Sequence, residues 1–316
     1  MIITLEGRAT VITYDLKSMQ ICEIHEPTVV ALGTFDGCHA GHMSVFNSCR
    51  ALSRELGAKS AVFTFSSSPK DFFTGRTGAC LFSLDEKIRA IRQSGIDFLC
   101  IEDFASIAEL SATSFLNDIL VGALHAIGAC CGFNFKFGKG ASSDAQNLRD
   151  FFENRGGCVR ICDKITFEGH TVSSTFIKEL IECGEIEKAT AISRPYSIYA
   201  MVEHGKELGR TIGIPTINQK IPVGKVVPAK GVYITECEIG ENVYPSVTNV
   251  GVRPTVDGDG GMNIETHIIG YNGYLYGSYV RVNFYKKIRD ERKFPSLDAL
   301  KKEVQVNIQK AIEYFK

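Results

Sequence analysis

The sequence predicts two folded parts: an α/β part with a parallel sheet, followed by an antiparallel β-barrel that ends in a helix. The chain has 316 residues, more than one hydrophobic core usually holds. Up to about residue 192, short apolar runs alternate with segments of helical period, which is typical of a parallel sheet covered by helices. After Pro195, alternating segments are separated by glycine, proline and asparagine turns, which indicates an antiparallel barrel.

Five short apolar runs are predicted as the parallel strands: Thr28 to Leu32, Ser60 to Phe65, Phe98 to Ile101, Ala126 to Cys131 and Val159 to Cys162. The predicted helices are Met43 to Leu56, Asp85 to Ser94, Thr113 to Leu120, Ala145 to Arg155 and Thr175 to Cys183. The second helix has a clear start, because Ser83 can cap its first turn while Glu86 reaches back.

The second part is predicted to contain mainly strands. These are Ile198 to Val202, Gly231 to Ile239, Tyr244 to Val250, Asn263 to Ile268 and Tyr279 to Phe284, and a helix from Leu297 to about Tyr314 closes the chain. Since Pro195 interrupts helical continuation, we expect a domain boundary at the end of the α/β pattern. The predicted domains are residues 1–185 and 186–316.

The composition favours a folded protein that acts on small molecules. Hydrophobic residues make up 44% and charged residues 22%, close to the average for globular domains. With 35 Lys and Arg against 36 Asp and Glu, the chain has no general attraction for a polyanion. The first apolar residues stop at Glu6, which is too short for a signal peptide, and no apolar run reaches the ~20 residues of a membrane helix. We therefore expect a cytoplasmic protein with no nucleic-acid or membrane partner, and the oligomeric state stays open.

The cysteines indicate reduced thiols. There are 11 of them, an odd number, and no two form a C-x-x-C pair. Most lie in apolar stretches, as in the run Phe98 to Ile101. Buried thiols in a reducing compartment are therefore expected, rather than disulfides or a zinc site.

The most informative segment follows the first predicted strand and reads Gly33-Thr34-Phe35-Asp36-Gly37-Cys38-His39-Ala40-Gly41-His42. Its glycines allow close approach of a ligand, and the start of the following helix presents N–H groups to an anion. His39 and His42 can place both rings on one side of the turn, beside the oxygens of a transferring phosphate. Two other interpretations are a metal site, for which no third ligand stands at a recognisable spacing, and a turn with two surface histidines.

This segment resembles the G-x-F-D-G-x-H-x-G-H signature of the FAD synthetase branch of the nucleotidyltransferases, which have a Rossmann-like fold. Residues 132–140 resemble the glycine-aromatic loop of the family, and residues 172–178 resemble its S-S-T-x-I-R motif. The resemblance implies that His39 and His42 stabilise the α-phosphate of ATP in the transition state. It also implies ATP contacts for Gly33, Phe35, Asp36, Gly37, Gly41, Ser174, Thr175 and Lys178, and a flavin contact for Asn134.

The chain departs from this family at two positions. The run Thr64-Phe65-Ser66-Ser67-Ser68-Pro69 stands where the family reads T-F-x-P-H-P, so Ser68 replaces a histidine. Lys178 replaces an arginine, which keeps the charge but loses the planar fork that grips phosphate at two points. Adenylyl transfer is therefore expected to be either active, or lost in a domain kept for folding or flavin binding.

A second glycine-rich polar segment runs from His204 to Asn218. It does not match the Walker A pattern. The Thr216 hydroxyl and the Asn218 carbonyl oxygen are hard ligands that suit Mg²⁺, and Arg210 supplies positive charge. Taken alone, these residue types favour a structured surface loop.

The segment resembles the riboflavin kinase signature G-R-x-x-G-x-P-T-x-N, and further segments match that family in order. These are Gly231-Val232-Tyr233, residues 249–255, Glu265-Thr266-His267, Leu275-Tyr276-Gly277 and Lys293-Phe294. The resemblance implies that Thr216 and Asn218 engage Mg²⁺ and the ATP phosphates, with Gly209, Arg210 and Gly213 beside them.

The resemblance further implies that Glu265 is the general base that removes the proton of the riboflavin 5′-hydroxyl, a role suited to a carboxylate within hydrogen-bond reach. Without the resemblance, Glu265 is interpreted as a strand residue that either faces solvent or pairs with Arg253 or Arg281. Arg289 and Tyr233 are candidate flavin contacts, although a strand tyrosine is more often a packing residue.

Together the resemblances imply an enzyme with two activities. The C-terminal domain would phosphorylate riboflavin to FMN, and the N-terminal domain would adenylylate FMN to FAD, with ATP as co-substrate and Mg²⁺ as cofactor. One alternative is a monofunctional riboflavin kinase with a silent N-terminal domain. The other is a flavin-binding regulatory protein without turnover.

Overall fold

The structure is a computed structural model that describes residues 12–15, 20–75, 78–205, 209, 213–252 and 261–316. Contacts divide the chain into two compact units, Met1–Ser174 and Thr175–Lys316. The predicted domain boundary after residue 185 stays a prediction.

The first unit is built on a seven-stranded sheet. The strands of this unit are β1 (Ile12–Asp15), β2 (Gln20–Ile21), β3 (Thr28–Leu32), β4 (Lys59–Phe65), β5 (Phe98–Glu102), β6 (Ala126–Gly132), β7 (Lys136–Phe137), β8 (Ser143–Asp144), β9 (Cys158–Cys162), β10 (Thr166–Phe167) and β11 (His170–Thr171). The large sheet has the order β2-β1-β5-β4-β3-β6-β9. The five neighbouring strands β5, β4, β3, β6 and β9 are parallel, which confirms the predicted parallel sheet.

One edge of this sheet differs from the expectation. β1 pairs antiparallel with β5, and β2 pairs antiparallel with β1. These strands are four and two residues long, too short to give a periodic signal. They extend a parallel sheet with an antiparallel edge, which is common in large mixed sheets.

Helices cover the sheet. They are α1 (Ala40–Glu55), α2 (Pro69–Thr74), α3 (Leu84–Gln93), α4 (Phe104–Ile107), α5 (Ala112–Ser114) and α6 (Ala145–Glu153). The next helix, α7 (Ser174–Cys183), begins at the last residue of this unit and otherwise belongs to the second unit. The capping box of α3 is confirmed: the Ser83 hydroxyl accepts from Glu86 N at 3.3 Å, and the Glu86 carboxylate accepts from Ser83 N at 2.7 Å.

The helix predicted from Thr113 to Leu120 has a different form. α5 continues as a π-helix over Phe115–Ala123. The wider turn places Phe115, Leu116, Ile119 and Leu120 together in the apolar core. Apolar spacing alone does not distinguish this geometry from an α-helix, because both bury neighbouring turns on one face.

The second unit contains a six-stranded antiparallel sheet. Its elements are α8 (Ile186–Ile192), β12 (Tyr196–Met201), β13 (Ile217–Lys220), β14 (Gly231–Ile239), β15 (Asn242–Val252), β16 (Met262–Ile268), β17 (Tyr279–Arg289) and α9 (Leu297–Tyr314). The order is β12-β17-β14-β15-β16-β13. The antiparallel barrel with a C-terminal helix is thereby confirmed, whereas β13 and α8 were not predicted.

Hydrogen bonds from two residues, Glu203 and Gln219, bring the ends of this sheet together. Beyond β12, the amide N–H of Glu203 donates to the Asn218 carbonyl on β13 at 2.8 Å. Inside the barrel, Gln219 Nε2 donates to the carbonyls of Ala200, at 2.6 Å, and Val280, at 2.8 Å. β13 is therefore joined to β12 and β17 although neither is its ladder partner.

The barrel core mixes aromatic rings with paired hydroxyls. The Tyr233 ring is fully buried and packs edge-on against Phe284. Thr248 shares hydrogen bonds of 2.8 Å with Thr235 on β14 and with Thr266 on β16. Each hydroxyl can both donate and accept, so these polar groups are satisfied without water.

α9 packs on the outside of the barrel. Its Ala311 joins Val232, Ile234 and Val247 of β14 and β15 in one apolar cluster. The Ser296 hydroxyl caps its first turn by accepting from Ala299 N at 3.2 Å. The helix therefore covers the outer face of the central strands.

All eleven cysteines are free thiols, and seven of them are buried. Burial raises the pKa of the Cys49, Cys131 and Cys237 thiols to about 12, so these groups stay protonated and unreactive. Within the described ranges, no helix has the length and apolar character needed to cross a bilayer.

Replacing Gln219 by leucine should destabilise the barrel by about 1–3 kcal/mol, because the two buried carbonyls lose their donor. The matched control is Lys220→Ala on the same strand, which removes an exposed ion pair to Glu203 worth at most ~1 kcal/mol. Urea unfolding followed by circular dichroism measures both. Equal losses in the two variants would show that Gln219 does not close the barrel.

Candidate functional site

The turn between β3 and α1 has an unusual backbone. Gly37 has a φ of 83°, and two non-glycine residues, Phe35 and Cys38, have φ values of 52° and 41°. Such conformations cost energy in residues with a side chain and persist only when their surroundings impose them. Here the Phe35 ring is buried and lies 4.6 Å from the Phe46 ring of α1. Burial of Phe35 therefore fixes the turn.

The turn places the two histidines against each other. His39 is the N-cap of α1, and His42 is the third residue of that helix. Their rings stack with centroids 3.6 Å apart and an interplanar angle of 21°, and the Phe35 ring meets His42 edge-on at 5.2 Å. Gly41 leaves space for the His39 ring, because a Cβ there would lie 3.1 Å from His39 Cε1.

Both rings are held in their neutral form. Burial lowers the pKa of His39 to about 4, although Asp36 opposes the shift. Burial, His39 and Lys87 together lower the pKa of His42 well below its ordinary value. The Nδ1 atoms of both rings are buried and have no hydrogen-bond partner among the described residues. Unpaired buried nitrogens are costly, so the stability of the fold alone does not account for this pair.

Asp36 connects the turn to two other segments. Its Oδ1 accepts from the backbone N–H groups of Leu81, at 2.9 Å, and Phe82, at 3.0 Å. Its carbonyl oxygen accepts from the Ser174 hydroxyl at 2.8 Å. The predicted ATP residues Asp36 and Ser174 are thus brought together, and Asp36 also has a structural role.

The remaining residues of the S-S-T motif lie on α7. Ser174 is the last residue of the first unit, whereas Thr175 and Lys178 belong to the second. Lys178 follows Ser174 by four residues on the same helix, so both side chains share one face. Thr175 is exposed.

The glycine-aromatic loop, residues 132–140, contains both packed and exposed side chains. Phe137 is buried, whereas Asn134 and Phe133 are exposed. Asn134 is therefore accessible to a ligand, as a flavin contact requires. The predicted role itself stays a prediction.

Ser68, which stands at the family's histidine position, is the N-cap of α2. Its hydroxyl accepts from Lys70 N at 3.2 Å and is exposed. A serine satisfies the helix start well, but unlike a histidine it cannot carry a positive charge. The substitution therefore keeps the local fold and changes the chemistry.

Lys87 is a site residue that our sequence analysis missed. It lies on α3 with only 8% of its surface exposed, and its Nζ donates to the Phe65 carbonyl at 2.8 Å. The sequence feature that could have indicated its burial is its helical spacing from Ala90, Ile91 and Ser94, which are buried on the same face. This spacing places Lys87 on the buried face of α3, although a lysine there can also extend its ammonium to solvent.

On the barrel, strand register assembles the second site. Glu265 of β16 lies directly opposite Asn218 of β13 and opposite Asn249 of β15. Directly opposed residues have Cβ atoms about 5 Å apart and point to the same face. Asn218 is buried and Glu265 is exposed, and Asn263 Nδ2 donates to Asn218 Oδ1 at 3.3 Å. Glu265 thus stands beside the predicted metal ligand.

The glycine-rich segment is described only in part, and Arg210 lies outside the described residues. Gly209 accepts from Ile214 N at 2.8 Å, and a Cβ on Gly209 would lie 2.3 Å from the Ile214 carbonyl oxygen. Gly213 has a φ of 76°. Both glycines are therefore required by the backbone that leads to Thr216.

The oxygen donors of this site suit Mg²⁺. Thr216 precedes β13, two residues from Asn218, and its Oγ1 lies 3.4 Å from the position of a Gly209 Cβ. Hydroxyl and amide oxygens beside a carboxylate are the donors that this hard cation prefers. Among the described residues, no cluster of three His, Cys, Asp or Glu side chains offers another metal site.

The two candidate flavin residues of the barrel have other contacts. The Tyr233 ring is buried in the barrel, and its hydroxyl donates to the Ala229 carbonyl. Its ring therefore presents no accessible face to a flavin. Arg289 ends β17, where its guanidinium pairs with Glu303 of α9 at 3.2 Å.

Two family models match the chain in succession. A model described as FAD synthetase matches residues 21–176, and one described as riboflavin kinase matches residues 192–315. Curated proteins named bifunctional riboflavin kinase/FMN adenylyltransferase are similar over most of the chain. The protein from Bacillus subtilis is 32% identical over 93% of this chain and 95% of its own length. The protein from Escherichia coli K12 is 34% identical over 92% of this chain and 93% of its own.

The chain belongs to the bifunctional riboflavin kinase/FMN adenylyltransferase family. A solved structure described as a macrolide-efflux protein from Streptococcus pneumoniae shares its fold with a TM-score of 0.81, at 30% identity and over 93% of this chain and 96% of that one. The His39–His42 turn falls within the FAD synthetase match, and the pairing of Glu265 with Asn218 falls within the riboflavin kinase match.

The turn should depend on glycine at residue 37. Gly37 and Gly57 both have positive φ values, but a Cβ at Gly37 would lie 2.5 Å from Leu81 Cδ1, whereas a Cβ at Gly57 meets nothing within 4 Å. We expect Gly57→Ala to cost ~1 kcal/mol from backbone strain, and Gly37→Ala to cost about 1–3 kcal/mol more from overpacking. Urea unfolding measures the difference, and equal costs would show that the turn tolerates a side chain.

Proposed function

We propose that this chain phosphorylates riboflavin to FMN on the barrel and adenylylates FMN to FAD at the His39–His42 turn. The observation that supports the first activity is the register that places Glu265 opposite Asn218. The observation that supports the second is the buried, stacked pair of histidines with unpaired Nδ1 atoms. The printed names of the relatives join the same two activities.

On the barrel, Glu265 acts as general base. Its carboxylate takes the proton of the riboflavin 5′-hydroxyl while that oxygen attacks the γ-phosphorus of ATP, and ADP leaves. A positioned base contributes roughly 10²–10⁴-fold. Phosphoryl transfer otherwise relies on positioning and charge stabilisation, so Thr216 and Asn218 hold the phosphates in line.

Thr216 and Asn218 would also hold Mg²⁺. When bound, the cation neutralises charge on the phosphate oxygens that transfer and leave. Gly209 lets the backbone before β13 turn back on itself, because its carbonyl accepts from Ile214 N and a side chain there would meet the Ile214 carbonyl oxygen.

At the first site, a phosphate oxygen of FMN attacks the α-phosphorus of ATP, and pyrophosphate leaves. The α1 N-terminus supplies N–H groups and a positive dipole end to the phosphates. Each neutral imidazole of His39 and His42 has one N–H to donate to a phosphate oxygen. The Ser174 hydroxyl, which donates to the Asp36 carbonyl, is available beside the same turn to contact a phosphate, and the family resemblance adds Lys178 as a positive charge.

The two alternative functions, a kinase with a silent N-terminal domain and a regulatory protein without turnover, require fewer features than the chain has. A silent N-terminal domain would need no buried pair of neutral histidines, yet the fold retains them despite their cost. A regulatory protein without turnover would need no carboxylate beside the oxygen ligands. We also propose a cytoplasmic location, because eleven free thiols suit a reducing compartment.

The two activities should be separable by mutation. We expect Glu265→Gln to lower FMN formation by about 10²–10⁴-fold, because an amide cannot accept the proton, while FAD still forms from added FMN. His39→Ala and His42→Ala should show the reverse pattern. Chromatography of the products formed from riboflavin, ATP and Mg²⁺ measures both activities in one reaction. Formation of FMN but never FAD by the unaltered protein would contradict adenylylation.

The departures at Ser68 and Lys178 should limit the rate of FAD formation. Combining Ser68→His with Lys178→Arg restores an ionisable ring and a bidentate fork. We expect FAD formation from FMN to rise while FMN formation stays the same. The matched control is Lys70→Arg, at an exposed position two residues after Ser68. An unchanged rate in the double variant would show that these two substitutions do not limit adenylylation.

A further inference from the structure

Lys87 is a buried cation at the nucleotide-transfer site. Lysine is almost never fully buried unless its ammonium is paired. Here the Nζ donates to the carbonyl of Phe65, the last residue of β4, at 2.8 Å. The ammonium thus lies at the carboxyl edge of the parallel sheet, the edge where ligands bind in open α/β folds.

The charged and titratable groups around Lys87 come from several segments. Asp36 of the turn, Cys38 of the same turn and Cys80 of the loop before α3 all act on its ammonium. In return, the ammonium acts on His42 of α1. Burial lowers the pKa of Lys87, and Asp36 raises it in part. The positive charge of Lys87 therefore acts on both the Asp36 carboxylate and the neutral His42 ring.

We propose that Lys87 is a positioning residue for adenylyl transfer: its buried ammonium binds the Phe65 carbonyl and fixes the end of β4, whose Thr64 hydroxyl donates to the Thr34 carbonyl of the histidine turn at 3.0 Å. The proposal rests on the adenylylation proposed above. It concerns a residue that lies outside the glycine-histidine turn, the glycine-aromatic loop and the S-S-T motif.

The position of the hydrogen bond to the Phe65 carbonyl explains why a lysine stands at residue 87. Phe65 is followed directly by Ser66, Ser67 and Ser68, the segment in which the chain departs from its family. That segment has no ionisable ring to hold the phosphates. The bond to the Phe65 carbonyl orients the beginning of this segment, and the same charge interacts electrostatically with Asp36. One side chain therefore influences both the end of β4 and the histidine turn.

Lys87 also acts on the histidines. A positive charge disfavours a second one nearby, so Lys87 lowers the pKa of His42, as do burial and His39. Removing the charge therefore raises the pKa of His42 toward its ordinary value of 6.5, but burial still holds it lower. His42 thus remains neutral over a wider pH range in the presence of Lys87.

The test compares Lys87→Met with Lys87→Arg, and uses Arg92→Met as the matched control. Arg92 is an exposed basic residue on the same helix. We expect Lys87→Met to lower kcat for FAD formation from FMN roughly tenfold to a hundredfold, the size of effect that small misplacements produce. Lys87→Arg keeps the charge and should recover part of kcat, and Arg92→Met should match the unaltered protein. FMN formation on the barrel serves as the folding control in every variant.

The pH profile separates positioning from simple stability. With identical substrates, the acid limb of kcat/KM for adenylylation should move to higher pH in Lys87→Met and stay in place in Lys87→Arg. An unmoved limb in Lys87→Met, or equal rates in the methionine and arginine variants, would overturn the proposal. If the unaltered protein forms FAD and Lys87→Met forms it equally well, only this inference fails. If the unaltered protein forms no FAD, the adenylylation proposal fails as well.

Discussion

Two stacked imidazole rings at one strand-to-helix turn set the requirements that the rest of the first unit meets. Two positive charges on rings 3.6 Å apart would repel each other, and desolvation lowers the pKa of both. The turn can hold them because Phe35 is anchored in the core and Gly37 and Gly41 leave space. Asp36 then connects the turn to Leu81, Phe82 and Ser174. A costly pair of unpaired nitrogens is thus kept in place by contacts spread over the unit.

In the barrel the requirement is different, because a base has to lie beside the oxygen ligands. Glu265 and Asn218 belong to strands that are far apart in sequence, and the antiparallel register puts them side by side. Gln219 holds β13 in the barrel, because its amide joins that strand to the carbonyls of Ala200 and Val280. Because Gln219 points inward, its neighbour Asn218 points outward toward Glu265. Barrel closure and site geometry therefore depend on two successive residues.

Much of the fold could be predicted, since long apolar runs and glycine turns determine it locally. β3 begins and ends at the predicted residues, and so do β14 and α9. β1, β2 and β13 are too short to carry a period, and the π-helix shares its apolar spacing with an α-helix. The site was predicted by family motifs, which place His39, His42 and Glu265 but give no information on their surroundings. Lys87 was missed because a lysine among apolar positions is interpreted as exposed unless its partner is known.

The neutrality of the histidine pair is the central claim, and nuclear magnetic resonance tests it directly. The imidazole signals of His39 and His42 can be assigned by comparison with the single alanine variants and followed against pH in the nucleotide-free protein. Neither ring should titrate between pH 5 and 8, because burial lowers the pKa of His39 to about 4 and that of His42 well below its ordinary value. A midpoint near 6.5 for either ring would contradict the account.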